Sequence, residues 1–181
     1  MNNGMNNQKL KWYMVTLVGK DRPGIVAHVT AALYEGEANL GETSMMRLGG
    51  NFSIMMMVEF SGSTKALKDV LSTVTESLGL HLHIDRIDAK LHEHHIPDVR
   101  ISVYGADRAG IVARVTGVLA EAGLNILDLE SDVAGDTNKP IYIMHIEGQA
   151  TEGVTALESA LQIVKADGVD AELSVIDTLI G

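Results

Sequence analysis

Apolar and polar positions along the chain change period several times, and each change marks an element. Residues 12–19 are rich in Tyr, Val and Thr and read as a strand. Next, Ile25, Val29, Ala32, Leu33 and Gly36 fall on one face at helical spacing. Asp21 is placed to cap that helix, and Pro23 sits near its first turn, where a missing N–H costs nothing. Residues 39–47 and 52–60 flank Gly49-Gly50, a hairpin signal. Leu67, Val70, Leu71, Val74 and Leu78 return to helical spacing, and residues 80–88 close as a strand. The second half repeats the order: strand 99–105, helix 110–122, strands 125–133 and 141–148, helix 154–166, strand 169–177. Each half is βαββαβ, an α+β ferredoxin-like unit with a four-stranded antiparallel sheet and both helices on one face. The other sheet face is left bare. Methionine-rich stretches such as Met55-Met56-Met57 suit an adaptable interface there, and dimerisation is expected.

The two halves are copies. Twelve of the 21 positions from 19 to 39 match their partners 86 residues later, including Asp21/Asp107, Gly24/Gly110, Leu33/Leu119 and Asn39/Asn125. The later strands suggest an offset of 88, through Met56/Met144 and Glu59/Glu147, after a two-residue insertion within 135–140. The organisation that follows is a flexible arm at 1–9, a first domain at 10–90, a linker at 91–97 and a second domain at 98–181.

Composition narrows the chemistry. Of 181 residues, 46% are apolar and only 4% aromatic, so Val, Ile, Leu and Met fill the cores. With no cysteine, disulfides, thiolate nucleophiles and Cys-based metal sites are excluded. Residues 1–90 balance nine Lys+Arg against nine Asp+Glu, so the entire formal charge of −10 falls in 91–181. Such a field repels phosphate, so direct nucleic-acid binding is disfavoured. No segment has the apolar run of a signal peptide or membrane span, and a soluble, cytoplasmic protein is expected.

The strand-to-helix turn carries the candidate chemistry. It presents backbone N–H groups and the positive end of a helix dipole, which together suit a small carboxylate. Gly24 and Gly110 have no Cβ to hold a ligand off, and Asn39 and Asn125 offer an amide donor and acceptor to a zwitterion. The same residues would equally serve a turn that only caps a helix and starts a strand. Five histidines, His81, His83, His92, His94 and His95, lie close in sequence, yet their spacing is loose for a metal, and a polar linker is a natural place for them. His28 and His145 stand where the other unit has Arg114 and Met57, so neither is a repeated feature. Asp128, Glu130 and Asp132 alternate on one strand face and read as a solvated face or a docking patch for a basic partner. No Ser-His-Asp set, Walker loop or dinucleotide fingerprint is present, so neither catalysis nor a cofactor is expected.

The turn Asp21-Arg22-Pro23-Gly24-Ile25-Val26 with Asn39-Leu40, repeated as Asp107-Arg108-Ala109-Gly110-Ile111-Val112 with Asn125-Ile126, resembles paired ACT domains. An arm followed by two such units resembles the glycine cleavage system transcriptional repressor family in particular. That resemblance implies small-amino-acid sensing without catalysis, with glycine the first candidate. It places ligands where the first turn meets the second strand, often across a domain or subunit interface. By position, Asp21, Arg22, Pro23, Gly24, Ile25, Asn39 and Leu40 would line one site, and Asp107, Arg108, Gly110, Ile111, Asn125 and Ile126 the other. It also implies a protein partner such as a LysR-type transcriptional activator; the alternative is a detached regulatory subunit of an amino-acid or one-carbon enzyme. Ala109 replaces Pro23 in the second turn, and the acidic strand would repel a carboxylate unless its side chains face away, so the two sites need not bind alike.

Overall fold

The computed structural model describes residues 10–88, 95–106, 110–136 and 139–176. The chain divides after residue 91 into two units, each with its own four-stranded sheet. No helix among the described residues is long and apolar enough to cross a membrane.

The first unit runs β1 (Lys11–Lys20), α1 (Ile25–Glu35), β2 (Asn39–Leu48), β3 (Asn51–Phe60), α2 (Thr64–Leu78) and β4 (His81–Ile87). The sheet order is β2-β3-β1-β4, with every neighbouring pair antiparallel. Alternation puts Tyr13, Val15 and Leu17 of β1 and Phe52, Ile54, Met56 and Val58 of β3 on one face, all buried. Ile25, Val29 and Leu33 of α1 and Leu67 and Leu71 of α2 close over them in one cluster. Each such side chain contributes roughly 1.5–3 kcal/mol by leaving water, which holds both helices to this face. The two-residue turn between β2 and β3 puts Gly49 at φ 56 and Gly50 at φ 75, the primed geometry that matches strand twist.

The second unit runs β5 (Val99–Ala106), α3 (Ile111–Glu121), β6 (Leu124–Asp136), β7 (Lys139–Ala150), α4 (Val154–Ala166) and β8 (Asp170–Val175), in the order β6-β7-β5-β8. Its core repeats the pattern with Ile101, Val103, Met144, Ile146, Val115 and Leu157.

Strand register corrects the repeat. Gly19 faces Phe52 in β1–β3, and its equivalent Gly105 faces Tyr142 in β5–β7, an offset of 90 between the third strands rather than 88. Four residues are therefore inserted in the second hairpin. They lengthen its strands, since Gly135 pairs with Pro140 and Asp136 with Lys139, where a loop was expected. His145 accordingly stands at the position of Met55, not Met57.

Candidate functional site

The first turn leaves β1 at Lys20 and enters α1 through Gly24, whose φ of 87° is open to glycine and strained for a residue with a branched Cβ. No side chain caps this helix end. The first intrahelical bond runs from the His28 N–H to the Gly24 carbonyl, so the N–H groups of Ile25, Val26 and Ala27 precede it with no intrahelical acceptor. Asp21, the expected cap, does something else. Its carboxylate pairs with the Arg47 guanidinium at the end of β2, and its N–H donates to the Gly50 carbonyl at 3.1 Å. Charge attraction to an arginine outcompetes capping and pins the turn to the β2–β3 hairpin. The His28 ring also closes on the turn, 2.7 Å from Nδ1 to the Gly24 carbonyl oxygen; a carbonyl only accepts, so Nδ1 carries the proton. Asp21, Arg22, Pro23, Gly24 and Ile25 with Met45, Arg47 and Phe52 line an open concavity of about 510 Å³.

The second turn repeats the backbone and changes the side chains. Gly110 enters α3 at φ 86°, again uncapped. Asp107, Arg108 and Ala109 lie outside the described residues. Gly110 and Ile111 line a smaller concavity of about 340 Å³ with Arg114, Val164, Asp167 and Val169. Arg114, the counterpart of His28, donates from Nε to Asp167 Oδ2 at 2.8 Å, tying the start of α3 to the end of α4. Where the first unit has Arg47 facing Phe52, the second has Val133 facing Tyr142. The first turn therefore has an arginine at the end of its second strand where the second unit has Val133.

Two turns of this kind, each between a core strand and a helix, match a known domain in both copies. The ACT domain model fits residues 12–85 and again residues 99–164. The chain belongs to the ACT-domain family. It is 46% identical over 72 residues to the UPF0237 protein YjhC of Lactococcus lactis, covering 39% of this chain and 83% of that one, a relative the size of one ACT unit. It is 27% identical over 139 residues to the glycine cleavage system transcriptional repressor of Escherichia coli, covering 75% of this chain and 72% of that one. Among solved structures, an unknown protein from Galdieria sulphuraria aligns with a TM-score of 0.76 at 26% identity, covering 93% of this chain and all of the other.

Within one ACT unit the structure does not bring all the expected residues together. Asn39 faces Glu59, which faces Trp12, whereas the turn follows Lys20 at the opposite end of β1. Eight residues of strand separate the two levels, roughly 26 Å. Asn39 is exposed and its Nδ2 donates to Glu59 Oε2 at 3.5 Å; Leu40 beside it is 43% exposed. Asn125 and Ile126 occupy the same end of the second sheet, opposite Gln149 and Gly148. Leu129 packs toward the core, so Asp128, Glu130 and Asp132 alternate onto the face away from the helices and the turn.

Met45 and Arg47 are the turn-lining residues that motif reading missed. The signal was available: β1 and β2 both run antiparallel to β3, hence parallel to each other, so the end of β2 lies level with the turn. As the Arg47 side chain is 69% exposed, Arg47→Ala should lower stability by less than about 1 kcal/mol in a denaturant titration. A larger loss would mean that the pair, and not the core, sets the turn.

Among the described residues the histidines show no shared site. His83 Nε2 pairs with Asp85 Oδ2 at 2.8 Å on exposed β4, and His92 and His94 lie outside the described residues. Among the described residues no group of three His, Asp or Glu side chains is placed to hold a metal ion.

Proposed function

We propose that the protein is a non-catalytic regulator that senses a small amino acid and passes the signal to a protein partner, with domains at 10–90 and 98–181. The observation that carries this reading is the uncapped, glycine-entered helix end beside the Asp21–Arg47 pair. Three N–H groups and a guanidinium suit a carboxylate, and an aspartate suits an ammonium, so a zwitterion exchanges one ion pair for two. Asn39 and Asn125 lie at the far ends of their own sheets, so within a unit the turn and the hairpin end, not the asparagine, supply the contacts. A ligand that binds one state of the protein more tightly than another shifts it toward that state, which is what regulation requires.

Relatedness to the glycine cleavage system transcriptional repressor makes glycine the first ligand to try and transcriptional regulation the first role. The acidic sheet of the second unit disfavours DNA as the direct target and supports a protein partner such as a LysR-type activator. A homodimer is the expected assembly. Capture of partners from source cells with the tagged protein, with and without millimolar glycine, tests the role. A DNA-binding activator whose recovery changes with glycine is the expected result. A metabolic enzyme instead would favour a detached regulatory subunit, and glycine-independent recovery would contradict signalling by this ligand.

A further inference from the structure

The two units bury corresponding sheet faces, but the faces turned away from the helices differ in kind. On the first sheet this face carries Met14, Thr16, Val18, Ser53, Met55 and Met57 on its two central strands, with Met46 beside them on β2. Register places Arg100 where Met14 stands, Glu147 where Met57 stands and Asp132 where Met46 stands. The second face is thus a charged surface that satisfies itself in water, with Arg100 Nε donating to Glu147 Oε1 at 2.8 Å. On the first face a pair of this kind, His83 with Asp85, lies on the edge strand β4, and Met46 and Met55 are 60% and 48% exposed. Its charged and titratable groups stand at the rim: Lys20 and Glu59 at the two ends, Glu42 on β2, and His81, His83 and Asp85 along β4. An apolar centre with a polar rim is the anatomy of a protein interface.

We propose that this face of the first unit packs against the same face of a second copy of the chain. The inference rests on the dimeric reading above and names its surface. Three ten-residue strands and β4 span roughly 30 by 20 Å, on the order of 600 Å² per partner and close to what a specific dimer buries. Charge selects the occupant. An acidic sheet such as the second unit's would bury Glu130, Asp132 and Glu172 against the methionines, with Lys20 only at the far end of the first face, which is strongly unfavourable. Two copies of the first face bring no charge to the centre, and methionine side chains adapt to one another across it.

Sedimentation velocity of the full chain at 1–100 µM tests this. The wild type is expected to sediment as a dimer. Met55→Asp with Met57→Glu is expected to raise the dissociation constant at least about 100-fold and yield a monomer with unchanged circular dichroism. Met46→Asp alone, at an exposed position where the second unit already holds Asp132, guards against misfolding and should weaken the dimer in the same direction. Glu130→Lys on the other sheet should leave it intact. Dimers that survive both methionine changes would overturn the surface and leave the dimeric reading standing; a monomeric wild type would overturn both.

Discussion

Gly148→Val is expected to lower the stability of the second unit by about 3 kcal/mol, on the order of 10 °C in its unfolding midpoint. The change writes in the residue that the first unit carries at the corresponding place, Val58, so by sequence it looks harmless. The backbone says otherwise. Gly148 is buried on β7 opposite Ile126, beside the bulge that separates Ile126 from Asp128. A Cβ there falls on the Asn125 carbonyl oxygen, with Leu124 Cδ1 at 3.0 Å and the Asn125 carbonyl carbon at 3.2 Å. Two of these three contacts are backbone, which no rotamer change relieves, so the start of β6 must shift and carry Asn125 with it. Urea unfolding monitored by circular dichroism measures the loss. A change below about 1 kcal/mol would mean that the β6–β7 register is wrong.

Gly24→Val should abolish amino-acid binding at the first turn while leaving the chain folded. At φ 87° a β-branched residue pays about 2 kcal/mol, and its Cβ would sit 3.1 Å from the His28 ring. The more telling effect is on the ligand. The added methyl groups cover the approach to the N–H groups of Ile25 and Val26, and a carboxylate cannot reach them without losing those bonds. Calorimetric titration should show at least a 100-fold weaker dissociation constant for that site. The Gly110→Val variant, strained at φ 86°, reports separately on the second turn. If amino-acid affinity survives in both variants, the turns are structural and the ligand binds elsewhere.

The alternation of β1 and β3 and the helical spacing of α1 and α2 made the fold legible from sequence, because each element buries one face against one core. The duplication was legible too, since the turn motif survived in both halves. The hairpin length was not. Gly135, Asp136, Lys139 and Pro140 are turn-favouring types, yet pairing continues through them as far as Asp136 and Lys139, because a hairpin end lets Pro lose a ladder bond cheaply. The site was only partly legible. Closeness of motifs in sequence suggested closeness in space, whereas two antiparallel pairings in succession place Asn39 level with Trp12 and bring Arg47 to the turn instead. Asp21 illustrates the same gap: capping is a local preference, and the cation that overrides it arrives from a strand 26 positions later in the chain.

Thermal unfolding of the purified chain with and without each standard amino acid at millimolar concentration tests amino-acid sensing most directly. A ligand at 100 times its dissociation constant adds about 2.7 kcal/mol, a rise of roughly 5–10 °C for a chain of this size. A selective rise with small amino acids is expected, glycine first among them, and Gly24→Val should remove or halve it. No rise with any amino acid would contradict amino-acid sensing.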